Sequence, residues 1–180
     1  MNVVFTLFNW KRCTECGKRF ILSEPKQCVL CKKILCSSCI GELEDRYPFY
    51  LWSLGDKPNI DYYGKLLCKS CVIKLEQSPE NTCFCERYEA ALLEHGKIEV
   101  FPSSYHGKLK IDASVPPKKL VSRLVPDRSI IEKAFQVSAI MLGYDLVYDV
   151  FYNKETAWDG NYQYKVYQGV GIAAKKLASN

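Results

Sequence analysis

Four Cys-x2-Cys pairs, Cys13/Cys16, Cys28/Cys31, Cys36/Cys39 and Cys68/Cys71, fall within 59 residues of this chain. In such a pair two thiolates reach one ion while backbone N–H groups of the turn point at the sulfurs. Two pairs complete a closed tetrahedral site with no open position, the structural kind of zinc site. The opening stretch "MNVVFTLFNWKRC" has no basic n-region and no small-residue cleavage site, so it does not read as a secretory signal. It reads instead as a first strand laid against the cysteine module. With nothing directing the chain to an oxidising compartment, its ten cysteines read as ligands rather than disulfides, and the expected location is cytoplasmic.

Only the four residues "KKIL" separate Cys31 from Cys36. That leaves the second and third pairs too close for a sequential chain of ribbons but suits a cross-brace. Site 1 is then Cys13, Cys16, Cys36 and Cys39, and site 2 is Cys28, Cys31, Cys68 and Cys71, with one Zn2+ in each. Each ion ties down a long loop, and metal substitutes for the core that a small module lacks.

The run "CTECGKRF", then "CVLCKKILCSSC", then "GKLLCKSC" resembles the FYVE zinc finger over residues 10–76. The resemblance implies the same cysteine pairs, the same four-residue gap, the Gly-Lys/Arg-x-Phe after the first pair and a cross-braced pair of zincs. It also implies binding of phosphatidylinositol 3-phosphate through a basic stretch around the third cysteine. Here that stretch holds Glu24, Pro25, Lys26, Gln27, Cys28 and Val29, and Leu66 stands at the position of the family's later arginine. Trp10 lacks the family's following Asp. Without bidentate arginines the phosphate has no charge-assisted donors, so the lipid function is not carried over. Phe20, Ile21 and Leu22 could be that family's membrane-inserting loop, but Phe20 reads better as core.

Residues 40–67 form a longer loop than that family uses and carry "YPFYLWSLG". Aromatics dominate interaction hot spots, so Tyr47–Trp52 is a candidate partner surface; the alternative is that these rings pack over the zinc sites. Further on, Cys83-x-Cys85 has a different geometry. The two could hold a soft ion, Cu(I) or a third zinc, with His95 or His106, or they could be two cysteines on a loop. A short helix is expected over 86–95, stopped by Gly96.

The second half reads as a small α+β domain. Ser129-x-x-Glu132 looks like a capping box opening a helix over 130–142, with Gly143 as its stop. A strand follows at 145–152, a turn at Trp158–Asn161, and a returning strand with Gly169 and Gly171 on one face, where a helix or another backbone can come close. Earlier strands are expected at Lys97–Phe101 and near 108–113. The stretch "AIMLGYDLVYDVFY…GNYQYKVYQGVGIAAK" resembles the end of the YbjQ family of small bacterial proteins described as heavy-metal binders. Tyr144 departs from that family's pattern, and no Cys or Met follows Cys85 except Met141, so a metal role here does not follow. Apolar residues of the 130–142 helix spread over about 200°, wider than one sheet needs. Because the resembled family forms rings, the surplus is expected against a neighbouring copy, with the zinc module of the same chain as the alternative.

Net charge is +5, but residues 1–94 carry only +1, and eight thiolates holding two dications would take that half to −3. Nucleic-acid binding is not expected. No serine–histidine–acid order and no phosphate loop stands out, and Asp145, Asp149 and Asp159 are explained by capping, edge and turn roles, so no catalytic residue is expected. The expectation is an α+β protein: a FYVE-like double-zinc module over 1–94, then a sheet-plus-helix domain over 95–180. It is a non-enzymatic interaction or scaffold protein with a protein partner, no membrane-lipid partner, and a homo-oligomer through its C-terminal domain. Its rivals are a metal-handling protein using Cys83/Cys85 and a divergent lipid adaptor.

Overall fold

The computed structural model describes residues 12–20, 24–49, 62 and 64–178. The first strand expected before Cys13, residues Ile21 and Leu22, and the Tyr50–Trp52 end of the aromatic loop lie outside these. The chain divides into one unit of Met1–Tyr47 with Pro58–Asn81, and a second of Pro48–Lys57 with Thr82–Asn180.

In the first unit sulfur takes the place of much of the core. Six of its eight paired cysteines are buried, beside Leu35, Ile40, Leu43, Tyr47 and Leu67. Regular structure is short. Strand β1 (Lys26–Gln27) pairs antiparallel with β2 (Ile34–Leu35), and β3 (Ile40–Gly41) pairs antiparallel with β4 (Leu67–Cys68). Helix α1 (Leu43–Arg46) follows β3, and α2 (Lys69–Glu76) springs directly from β4. Tyr47 is only 4% exposed and its hydroxyl donates to Glu76 Oε1 at 3.0 Å, so the first ring of the aromatic loop is packing material.

The second unit is a four-stranded sheet with strand order β5-β7-β8-β6. Strands β7 (Leu146–Asp159) and β8 (Tyr162–Ala174) form a long hairpin, turned by Gly160 at φ +57° and Asn161. Strand β5 (Glu99–Pro102) lies parallel to β7, and β6 (Lys118–Val121) runs antiparallel to β8. The strand expected near 108–113 is not one, since that stretch contributes only the bridge Ile111 to Lys176. The fourth strand instead follows Pro116 and Pro117, whose missing N–H groups are tolerated at the start of an edge strand. Lys118 and Lys119 then guard that edge.

Helix α4 (Arg128–Met141) covers one face of the sheet. Its N-cap is Asp127, whose carboxylate accepts from Ser129 N–H, so the start lies two residues before the expected box at Ser129. Its stop is the expected one. Gly143, at φ +79°, donates to Ile140 O and Tyr144 N–H reaches back to Ala139 O, which satisfies two terminal carbonyls. Ile131 and Phe135 of α4 sit on Gly169 and Gly171, where an added Cβ at Gly169 would overlap Ile131 Cγ2. The close approach that those glycines permit is therefore taken by the chain's own helix and carries no argument for a neighbouring copy. Part of the wide apolar arc of α4 is covered by β5 and the 3-10 turn His95–Lys97 as well as by the rest of the sheet, while Ile130, Ile140 and Leu142 stay half-buried.

Helix α3 spans Pro79–Glu94, starting earlier than the expected residue 86 because Pro79 is pre-set for a first helical position. Phe49 lies between it and α4: its N–H donates to Tyr88 Oη at 3.3 Å, and Lys133 Nζ stands 4.6 Å over its ring. The class is α+β, as the sequence leads one to expect.

Candidate metal centres

Both sites begin with a hairpin loop of six residues, Cys13–Lys18 ("CTECGK") and Cys28–Lys33 ("CVLCKK"), each closed by one flanking pair, Arg12 with Arg19 and Gln27 with Ile34. The internal bonds repeat. Cys13 N–H donates to Lys18 O at 2.9 Å and Gly17 N–H to Cys13 O at 2.9 Å. In the second loop Cys28 N–H donates to Lys33 O at 3.0 Å and Lys32 N–H to Cys28 O at 2.9 Å. The residue after the second cysteine must turn left-handed to close the loop, and it does so in both: Gly17 at φ +70° and Lys32 at φ +62°.

Each loop is then tied to the tail that supplies the other two thiols, again in the same way. Thr14 N–H donates to Ile34 O at 3.0 Å, two residues before Cys36. Val29 N–H donates to Leu66 O at 3.0 Å, two residues before Cys68. One loop-and-tail design is used twice, and the halves interleave because the second loop lies between the first loop and its tail. Only the tails differ: Cys36/Cys39 sit in a turn with Cys39 N–H donating to Cys36 O, whereas Cys68 and Cys71 straddle the start of α2.

The result is two groups of four thiols, Cys13/Cys16/Cys36/Cys39 and Cys28/Cys31/Cys68/Cys71, the sulfurs of each lying within 4.8 Å of one another. Cys16 Sγ stands 3.7 Å from Cys36 Sγ, and the equivalent Cys31 and Cys68 are also 3.7 Å apart. A tetrahedral ion with metal–sulfur bonds of ~2.3 Å has sulfur edges of about 3.8 Å, so each group has the dimensions to hold one ion. These are the cross-braced sets expected from the "KKIL" gap.

The electrostatics repeat at the first and the last thiol of each set, while the third differs, Cys36 being lowered and Cys68 raised. Burial pushes the Cys13 thiol up, but N–H groups of Cys16, Cys36 and Glu15 outweigh it and bring the thiol down to about 6. For Cys28, burial is likewise outweighed by Cys31, Cys68 and Leu30, again to about 6. At the other end of each set the proton is held. Cys39 is pushed up to about 12 by its hydrogen bond with Cys16 and by burial, and Cys71 is pushed up by burial and by Cys68, Cys31 and Cys28. Four thiolates that close cannot all be charged without a cation among them, and a dication is what the sets lack in charge.

Cys83 and Cys85 do not join either set. Both lie on α3, where residues two apart point to nearly opposite sides, so one ion cannot bridge them without unwinding the helix. Of their suggested partners, His95 Nδ1 is 3.2 Å from Gln136 Oε1, and His106 is exposed. None of the four falls in a metal-capable group among the described residues. No disulfide involves any of the ten cysteines.

Around site 2, where the FYVE resemblance places lipid contacts, Glu24, Lys26 and Gln27 are exposed, and Gln27 Nε2 is engaged with Lys32 O at 3.0 Å. The three carboxylates Asp145, Asp149 and Asp159 are not gathered. Asp145 accepts from Lys175 Nζ and Lys176 N–H, Asp149 sits in a bulge of β7, and Asp159 ends β7 opposite Tyr162. Among the described residues no helix is long and apolar enough to cross a membrane. No protein-family model matches this chain, and neither does any curated protein or solved structure.

Proposed function

We propose that this chain is a non-enzymatic zinc-binding interaction or scaffold protein whose FYVE-like module has no phosphatidylinositol 3-phosphate site. One observation carries the reading: each four-thiol set is closed by its own chain, leaving no position for a substrate or exchangeable water. Closed four-sulfur sites suit zinc in a structural role. Zinc there supplies rigidity and folding free energy, and the module's surface is left to engage a protein partner.

The lipid half of the reading rests on charge. Glu24 and Val29 stand where the resembled family has arginines, and Leu66 replaces a third. A phosphomonoester carries close to two negative charges and needs such donors. The ten undisulfided cysteines suit a cytoplasmic setting.

Elemental analysis of the purified chain tests the metal assignment. Two zinc per chain is the expected result. Iron, which would colour the protein, or a single ion per chain would overturn it. Affinity capture with the intact chain, compared with Cys16→Ser, tests the scaffold role: a partner recovered in both equally would show that the metal module is not the docking surface.

A further inference from the structure

Strand β7 carries a bulge. Tyr148 faces Ile172 and Phe151 faces Val170, so Asp149 and Val150 together stand opposite Gly171. Asp149 takes the left-handed backbone, φ +52°, which glycine would adopt without strain. Bulges of this kind re-aim a side chain, and strained positions that persist concentrate at sites of use. The side chain retained here lines a cavity of about 360 Å³ in the second unit, and Asp149 is the single charged residue in that lining.

The other walls are aromatic. Phe101, Tyr105 and Tyr148 all line the cavity, with the Phe101 and Tyr105 centroids 4.7 Å apart and their planes tilted by 45°. The Tyr105 ring lies against Gly107 so closely that a Cβ there would overlap it. Gly107 is thus what lets the ring fold over to form a wall. The main chain of Tyr105 is fixed by a turn in which its N–H donates to Pro102 O at 2.9 Å.

Three aromatic residues and one carboxylate select a ligand class. An anion is repelled by Asp149. A hard metal cation finds one carboxylate and no further set of oxygen ligands comparable to those it requires. An alkylammonium group, weakly hydrated and positively charged, is attracted by aromatic faces and by the carboxylate together. We propose that this cavity receives an organic ammonium headgroup, either a free quaternary amine or a methylated lysine borne by a partner.

The test uses the full metal-loaded chain and choline as probe, with the uncharged tert-butyl analogue of choline as control, followed by backbone amide NMR. Choline at millimolar concentration should give saturable shifts around Tyr105 and Asp149, and the analogue should give none. Asp149→Asn keeps a residue that tolerates the left-handed turn and should weaken choline about tenfold. Asp149→Gly should weaken it as much while raising the melting temperature of the second unit, because it relieves the backbone and removes the carboxylate. A trimethyllysine peptide that binds more tightly than choline identifies a partner's side chain as the source, and one that binds no better identifies a free amine. Absence of saturable choline shifts, equal binding of the uncharged analogue, or an Asp149→Asn variant that binds like the parent would each overturn the proposal.

Discussion

Gly17 and Lys32 occupy the same place in two loops closed by the same hydrogen bonds, one at φ +70° and the other at φ +62°. Glycine takes that conformation freely, whereas a side chain costs about 1 kcal/mol there. Lys32→Gly should therefore stabilise site 2 by about 1 kcal/mol, seen as a higher denaturant midpoint or slower loss of metal to a chelator. Gly17→Val, which puts a β-branched residue into the same turn, should move site 1 the other way. A neutral Lys32→Gly would mean that the loop is not closed through this turn in solution.

Interleaving predicts which amides respond when one site is emptied. Cys16→Ser should leave one metal per chain and speed hydrogen exchange at Thr14, whose N–H depends on the loop meeting its tail at Ile34. Val29, tied to Leu66, should stay protected. Cys31→Ser should reverse the pattern. Exchange rising equally at both amides in both variants would argue for one cooperative metal unit.

Vesicle sedimentation checks the lipid reading. Liposomes with phosphatidylinositol 3-phosphate should pellet no more of the chain than plain liposomes at physiological salt. Changing Glu24 and Val29 together to arginine should create detectable lipid-specific pelleting if the scaffold is otherwise FYVE-like.

Packing of α4 on the sheet is equally testable. At Gly171 an added methyl would come to 2.9 Å from Val150 Cγ2, and at Gly169 it would overlap Ile131. Alanine at either position should destabilise the second unit by roughly 1–3 kcal/mol, as overpacking does. Gly96→Ala, with nothing within 4 Å of the new methyl, serves as the control. Adding Ile131→Ala to Gly169→Ala should cost less than the two changes summed, because each relieves the other.

Asp127 links the same helix to pH. Hydrogen bonds from Ser129, backbone first and hydroxyl second, hold its carboxyl below the ordinary value of 3.8. A depressed carboxyl contributes stability that is fully present above that ordinary value and is lost as pH falls through the folded one. Asp127→Ala should thus lower the melting temperature of the second unit at neutral pH, and the gap between variant and parent should narrow in acid below 3.8. Direct titration by carboxyl NMR would settle the direction: an Asp127 resonance titrating above 3.8 would contradict the cap.

The cysteine sets were legible in the sequence because ligand spacing is set by the reach of a two-residue turn, a local quantity. The crossing of pairs was legible because the short gap after Cys31 excludes the sequential alternative. The repeat of loop and tail was not, since it resides in backbone bonds from Thr14 to Ile34 and from Val29 to Leu66, which no particular side chain announces. Strand β6 was hidden behind Pro116 and Pro117, which look like a linker although an edge strand tolerates them. The first turns of helix α3 are masked by Cys83 and Cys85, whose spacing looks like a ligand pair on a loop, although Pro79 suits a first helical position. The breadth of α4's apolar face asks for cover on more than one side. Sequence periodicity gives the width of a buried stripe but not its neighbour, and here part of the cover is β5 and the turn after α3.

Vectorial synthesis meets the interleaved sites in a particular order. When Cys31 leaves the ribosome, Cys13, Cys16, Cys28 and Cys31 are on offer together, in two segments that close as loops of like geometry in the finished fold. An ion captured at that moment would join loop to loop, a pairing that the finished fold does not contain. Only after Cys36 and Cys39 emerge can the first loop find its own tail, and the second must wait for Cys68 and Cys71, beyond a long intervening segment. The two loops are thus competitors for metal early in the life of the chain, and arrival of the β2 tail, which offers Ile34 O to Thr14, is the event that separates them.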